Sequence, residues 1–459
     1  MTNQNGNSRS TFSGKMGYVL AVAGSAVGLG NIWRFPYLAA KYGGGIFLLI
    51  YILLALTFGY TMIVAESALG RMTRKSPVGA FKAFGKKAGW LSFGGWINAI
   101  IPVLIVPYYS VIGGWVIKYL IEYVKGNGTK LAADGYFSEF ISNGASTEIC
   151  FVILCLFTLS IIYAGVRNGI ERVSKFMMPI LVVLSVIIAI YSVTRPGAIE
   201  GVKYFLVPNL KNFSWMTVVA AMGQMFYSLS IAMGILITFG SYMKKDSSIE
   251  DSTRNVEVFD TAIAIMAGLM IIPAVFAFSG GDPDTLQAGP ALMFITIPKV
   301  FANMGFGTIV GILFFLLVLF AAVTSSIALT ESAVSTFEDE IGWSRRKSTV
   351  VIGIIMIALG TLSCLGYGPL AFVKIIGMQF LDFFDFLTNS VMMPIAAMMI
   401  SIFVSKVVGI DRIEEEIRHG EAAFRRKKIF VVMIKYLCPI FAMIILASSV
   451  ANAFGWISM

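Results

Sequence analysis

Eleven stretches of the chain are apolar over about 20 residues each, the length of helix that crosses the hydrocarbon core of a bilayer. They fall near 16–38, 44–69, 91–124, 148–165, 176–194, 215–241, 257–280, 305–336, 349–366, 376–405 and 430–456. Several exceed the usual length, which predicts tilted or broken helices. Composition agrees. Of 459 residues 57% are hydrophobic and 13% charged, with a mean hydropathy of +0.82, whereas soluble domains carry about 25% charged residues. The expected fold class is an all-α integral membrane protein of about 11 transmembrane helices.

The formal charge of +10 invites an anionic partner, but its distribution gives another reason for it. Basic residues concentrate in alternate loops, such as Arg71, Arg74, Lys75, Lys82, Lys86 and Lys87, then Lys406, Arg412, Arg418 and Arg425 to Lys428. With the N-terminal tail, that side of the membrane holds 24 of the 35 Lys and Arg. By the positive-inside rule the N-terminus is cytoplasmic, and eleven spans put the C-terminus outside, in the inner (plasma) membrane. No interleaving of basic and aromatic residues supports nucleic-acid binding. The first fifteen residues are polar, so no cleavable signal peptide is expected. Cys150, Cys155, Cys364 and Cys438 lack metal-ligand spacing and read as small buried hydrophobes. The single histidine, His419, lies in a basic loop, which leaves no histidine relay or metal cluster.

The first span carries a defect at Gly24-Ser25-Ala26-Val27-Gly28-Leu29-Gly30-Asn31-Ile32-Trp33-Arg34-Phe35-Pro36. Three glycines within seven residues and then a proline propagate a helix poorly. Broken backbone at bilayer depth costs several kcal/mol per unpaired group. It persists where something polar takes those groups, which points to a binding site at the midplane. Glycines on a close-packing face are the plainer explanation, and Asn31 and Arg34 weigh against it. The sixth span is interrupted too, around Gln224-Met225-Phe226-Tyr227-Ser228-Leu229-Ser230-Ile231-Ala232-Met233-Gly234. Alone, Ser228 and Ser230 read equally well as hydroxyls bonded back to the preceding turn. Paired with the first break, they predict two five-span repeats, about 16–194 and 215–405, with opposite orientations because five is odd. In the eighth span, Ala321-Ala322-Val323-Thr324-Ser325-Ser326 offers three hydroxyls, as interhelical glue or as oxygen ligands for a hard cation. Glu66, Asp260, Glu331, Asp382 and Asp385 lie within or beside apolar spans, where each needs a partner. Arg34 and Asp385 are natural partners across the outer mouth, and Glu66 and Glu331 suit a structural role at least as well.

The string Gly28-Leu29-Gly30-Asn31-Ile32-Trp33-Arg34-Phe35-Pro36-Tyr37 closely resembles the signature of the neurotransmitter:sodium symporter family, whose bacterial branch carries amino acids on the leucine-transporter fold. The resemblance runs from about Arg9 to the last apolar segment and includes the span-8 hydroxyls. It implies two inverted repeats with unwound helices 1 and 6, two Na⁺ sites and no organic cofactor.

By this resemblance the substrate amino acid lies between the unwound parts of spans 1 and 6. Its carboxylate meets the N–H groups of Leu29 and Gly30 and the Tyr109 hydroxyl, as a helix N-terminus facing an anion should. Its ammonium meets the carbonyls of Ala26, Tyr227 and Ser228 and the Ser230 hydroxyl. Ile105, Tyr109, Tyr227, Met233, Ser325 and Leu329 form a side-chain pocket whose apolar lining implies a neutral hydrophobic substrate. Family members that carry monoamines have an aspartate where Gly28 stands, so monoamines are not expected. One sodium is expected among Ala26, Asn31, Ser228, Asp260 and the substrate carboxylate, and a second among Gly24, Val27, Ala321, Thr324 and Ser325. Asp260 replaces the asparagine of chloride-dependent relatives and supplies a fixed negative charge, which implies chloride-independent transport; a shifted alignment would put Asn255 there instead. The resemblance places an outer gate at Arg34 and Asp385, closing over Tyr109 and Tyr227. It places an inner gate at Arg9 and Asp339, with Phe12, where a tryptophan is usual, and Tyr242 beside it. Ala232 replaces a glycine common in the span-6 break.

These readings converge on Na⁺-driven import of a neutral hydrophobic amino acid by alternating access. The expected organisation is a cytoplasmic tail (1–15), a ten-helix core (16–405), and a cytoplasmic loop with the eleventh helix (406–459). Expected partners are the amino acid and the lipid bilayer, with no nucleic acid, in a monomer or weak homodimer. A membrane enzyme would need convergent titratable or metal-binding side chains, and a channel a continuous polar pore. A proton-coupled transporter of a small amino-acid-like solute, with Asp260 or Glu331 as proton carrier, is the alternative.

Overall fold

The structure, a computed structural model, describes residues 9–280 and 289–456. Residues 1–8 of the expected tail and 457–459 after the last span lie outside the described residues. Among the described residues, nine unbroken helices are long and apolar enough to cross a membrane. They are Gly45–Thr73 (span 2), Gly89–Val124 (span 3), Gly144–Tyr163 (span 4), Val166–Val193 (span 5), Ile249–Ser279 (span 7), Gly307–Ile341 (span 8), Arg345–Leu365 (span 9), Phe380–Val408 (span 10) and Lys427–Ala453 (span 11). Span 1 is a bent pair, Lys15–Ala26 and Gly30–Lys41, whose halves meet at 54°. Span 6 is also in two pieces, Trp215–Ser228 and Ile235–Ser241.

Local chemistry explains both breaks. The first half of span 1 ends at Val27, whose φ of −77° and ψ of 88° leave the helical region. The second half reopens through a wide turn at Gly30–Arg34, and Pro36 falls within the first turn of the regular helix behind it. A missing N–H costs nothing there. In span 6, Ser214 caps the first half reciprocally with Thr217. The helix stops because Ser230, Ala232 and Gly234 take φ of +53°, +58° and +71°. Only the last of these is cheap, since an L-residue in the left-handed region costs about 1–2 kcal/mol.

The broken spans are buried among whole ones. Span 8 runs along span 3 and the first half of span 1, and span 7 crosses both halves of span 1. Gly24 makes the close approach possible: a Cβ there would lie 3.2 Å from Cβ of Thr324. The three span-8 hydroxyls divide by helical angle. Ser325 faces span 1, whereas Ser326 Oγ lies 3.2 Å from Ser110 Oγ and accepts from Thr158 Oγ1 at 3.4 Å, gluing spans 3, 4 and 8. All four cysteines are free and buried.

On the face with the basic loops, the segment between spans 10 and 11 folds back over the bundle. Its helix, Ile410–Arg418, packs on span 2. The fully buried Arg71 donates to Glu416 Oε1 at 2.7 Å and to the Ser247 carbonyl at 2.5 Å. The N–H groups of Arg425 and Arg426 donate to the Glu250 carboxylate at 2.7 and 3.1 Å.

Candidate functional site

Where the two breaks face each other the structure has a cavity of about 30 Å³, room for about two water-sized spheres. Of the residues expected to hold the substrate, Ala26, Gly30, Ile105, Tyr109, Tyr227, Ser230, Met233, Ser325 and Leu329 line it. Leu29 and Ser228 do not. The Leu29 N–H donates to the Tyr109 hydroxyl at 3.2 Å, and the Ser228 side chain turns away toward span 7. Ser25 and Ile235 also line the cavity, and sequence reasoning missed both. Ser25 is the more consequential: its carbonyl accepts from Ser230 Oγ and Ser325 Oγ, each at 3.1 Å, and its own hydroxyl lies 2.9 Å from Ser230 Oγ. Its place in the first break, directly after Gly24, was the available signal. Gly28 is crowded, since a Cβ there would lie 2.7 Å from Ser325 Oγ and 3.0 Å from the Tyr109 hydroxyl. A larger side chain at position 28 requires the Ser325 or Tyr109 side chain to shift.

Behind the cavity wall lies a buried carboxylate. Asp260 is fully buried in span 7 and accepts from Ser228 Oγ at 2.6 Å, Asn31 Nδ2 at 2.8 Å and the Tyr51 hydroxyl at 2.7 Å. Asn31 Nδ2 also lies 2.9 Å from Ser228 Oγ, while Asn31 Oδ1 accepts from the Gly28 N–H at 3.2 Å. Asn31 therefore belongs both to this cluster and to the cavity lining. Asn255, five positions earlier, is half-buried and takes no part. A carboxylate at this depth, bonded only to neutral donors, suits a cation as its further partner. Ala26, the remaining protein residue expected at the first sodium, lines the cavity on the same break.

The residues expected at the second sodium lie where span 1 touches span 8. Ser325 Oγ lies 3.4 Å from the Gly24 carbonyl, and Thr324 Oγ1 donates to the Ala321 carbonyl at 3.2 Å. Val27 caps the first half-helix, with backbone angles that leave the helical region. Hydroxyls and terminal carbonyls are hard oxygen donors at the negative end of a helix, and their chemistry fits a small monovalent cation.

The two expected gates differ. On the inner side Arg9 is ion-paired with Asp339, and its Nε donates to Ser241 Oγ at 2.9 Å. Burial pulls the Arg9 pKa down, but Tyr242, Asp339 and Glu331 together hold it above its ordinary value. Its guanidinium sits 4.9 Å over the Tyr242 ring, and Phe12, 1% exposed, packs edge-on against Tyr18, Phe239 and Tyr242. Glu331 lies beside this plug, bonded to Arg345 at 2.5 and 3.0 Å and to the Tyr242 hydroxyl at 2.7 Å. At the expected outer gate Arg34 and Asp385 line one vestibule without forming an ion pair in this structure. Arg34 stacks 5.4 Å over the Tyr227 ring, and Asp385 accepts from Asn389 at 2.5 Å and the Tyr108 hydroxyl at 3.2 Å. A vestibule of about 440 Å³ lies between them, with Asp382 also on its wall. Tyr227 lines both vestibule and inner cavity, so its ring is the partition between them. Among the buried acids, Glu66 accepts from the Ala232 N–H at 2.8 Å, tying span 2 to the span-6 break.

Comparison with known proteins places this arrangement. The profile of the "sodium:neurotransmitter symporter family" matches residues 9–132 and 136–455. The sodium-dependent transporter YhdH of Bacillus subtilis (strain 168) is 35% identical over 90% of this chain and 91% of its own length. A sodium-dependent transporter of Haemophilus influenzae is 32% identical over 97% of this chain and 99% of its own. The human sodium- and chloride-dependent GABA transporter 2 is 27% identical over 76% of this chain and 66% of its own. Among solved structures, MhsT in complex with L-phenylalanine is similar with a TM-score of 0.86 and 35% identity, covering 96% of this chain and 100% of that one. Among the described residues the long elements are all helices, broken at spans 1 and 6 around a central cavity, and the chain belongs to the sodium:neurotransmitter symporter family.

Proposed function

We propose that the protein imports a neutral hydrophobic α-amino acid, aliphatic or aromatic, coupled to Na⁺ and independent of chloride, by alternating access. The observation that carries this reading is Asn31, which joins the buried Asp260–Ser228 cluster to the wall of the central cavity. A sodium ion beside Asp260 offsets a charge that is otherwise costly at this depth. Coordination by Asn31 calls for its amide oxygen, so the side chain turns over and releases the Gly28 N–H toward the cavity. Ion and substrate then each complete the other's site, and coupling is reciprocal. The fixed Asp260 carboxylate supplies the negative charge for which relatives use chloride. A second sodium at Gly24, Val27, Ala321, Thr324 and Ser325 ties span 1 to span 8, and its departure inward frees the inner plug. The L-phenylalanine bound by MhsT supports a zwitterionic substrate with an apolar side chain.

In this scheme Arg34 and Asp385 approach over Tyr227 once substrate is seated. The alternation is carried by the ten-helix core, 16–405, with 406–459 appended, in a monomer or weak homodimer whose N-terminus is cytoplasmic and C-terminus outside, in the inner (plasma) membrane.

Uptake of labelled amino acids into proteoliposomes tests this. Saturable uptake is expected with an inward Na⁺ gradient and not with choline, unchanged when chloride is replaced by gluconate. Asp260→Asn is expected to weaken Na⁺ activation at least about tenfold, as loss of one favourable contact of about 1.4 kcal/mol would do. Uptake that persists in choline and follows a proton gradient overturns the sodium assignments.

A further inference from the structure

Beyond the transport site, the face with the basic loops carries a cavity of about 520 Å³, lined by Met72 and Thr73 from the end of span 2, Ala83, Phe84 and Lys87 from the following loop, and Arg412 from the helix between spans 10 and 11. Its walls combine two cations with apolar surface. Neither Lys87 nor Arg412 has an acidic partner among the described residues. Arg412 instead lies 6.0 Å over the Phe84 ring. In contrast, neighbouring cations of the same face are used: Arg71 binds Glu416, Lys82 binds Glu340 and Lys427 binds Glu414. The chain next to Lys87 shows where the membrane surface lies. Trp90 is 72% and Phe93 60% exposed, and Lys82 sits 5.1 Å over the Trp96 ring. Exposed tryptophans interleaved with lysines mark the headgroup level of a bilayer. Two unpaired cations at that level, beside an apolar floor, match a phosphodiester with acyl chains attached.

We propose that this cavity binds the headgroup phosphate of an anionic phospholipid between Lys87 and Arg412, with the acyl chains passing Phe84 and Trp90 into the bilayer. The bound lipid bridges the loop after span 2 and the segment between spans 10 and 11 through their two cations, Lys87 and Arg412. A free phosphate shares the headgroup chemistry but lacks the apolar contact.

Native mass spectrometry of the full chain, released from detergent with phosphatidylglycerol, phosphatidylcholine or inorganic phosphate added, distinguishes these. Phosphatidylglycerol is expected to stay bound under activation that strips phosphatidylcholine. Lys87→Gln with Arg412→Gln is expected to weaken its retention about 30-fold, the ratio given by about 1 kcal/mol for each of two cations. Lys211→Gln, an exposed cation on the opposite side, is expected to leave it unchanged, and unfolding temperature checks that the double variant is folded. Equal retention of the two lipids, or an unaffected double variant, overturns the proposal. So does inorganic phosphate that competes fully with phosphatidylglycerol, which would make this a soluble-phosphate site.

Discussion

Ala232 holds a φ of +58° in the middle of the span-6 break, with its N–H bonded to Glu66. Its methyl group carries the left-handed penalty of about 1–2 kcal/mol that glycine avoids. Ala232→Gly relieves that strain, while glycine's freer unfolded chain takes back about 0.5–1 kcal/mol. The expected outcome is a thermal stability equal to or up to about 1 kcal/mol above the parent in detergent, and a loss would show that the methyl packs usefully. Residues such as Asn31, Asp260 and Ser230 were legible because a polar group inside an apolar run has few reasons to be there. Ser25 and Ile235 were not. A serine beside a glycine is ordinary in a membrane helix, and an isoleucine is ordinary anywhere in one. Sequence also does not say in which state a charged pair is closed: here Asp385 is held by Tyr108 and Asn389 while Arg34 stacks on Tyr227.

Among the elements, the folded-back segment between spans 10 and 11 makes the sharpest demand on stability. Arg71 has no exposed surface, and its carboxylate partner, Glu416, comes from the helix Ile410–Arg418. Glu416→Gln leaves a buried guanidinium without its counter-charge, and breaking such a pair from one side costs about 3–5 kcal/mol. Arg71→Met combined with Glu416→Leu removes both charges and is expected to recover most of that loss in the same unfolding assay. A single variant that costs less than about 1 kcal/mol would mean the helix detaches and lets water reach Arg71. The extent of this segment's docking was hidden in sequence, where its charges read only as a basic loop. Span ends were hidden for a related reason. Span 5 begins at Val166 and span 7 at Ile249, well before their apolar runs, because helical turns rich in Arg, Glu and Asp continue past the hydrocarbon. Hydropathy reports the apolar part of a helix, while capping by residues such as Ser248 decides where it starts.

In the whole molecule the inner plug is assembled while the outer pair stands apart across the vestibule. Arg9 is the hub of that plug, tied at once to Asp339, Ser241 and Tyr242. Arg9→Ala is expected to shift the balance toward inward opening. Steady-state accumulation of substrate in proteoliposomes should fall several-fold, with exchange of internal for external substrate retained; unchanged accumulation would place the barrier elsewhere, at Phe12 and Phe239.

The 54° bend in span 1 has an electrical consequence as well. In an unbroken helix the peptide dipoles cancel head to tail except at the ends, so charge is felt only at the membrane surfaces. A kinked gap brings one negative and one positive terminus to the midplane, a few ångströms apart and no longer collinear. The protein thereby holds a permanent, oriented field beside a cavity with room for little water. A zwitterionic solute, as the proposed substrate is, can align its two charges along that field before any side chain is felt.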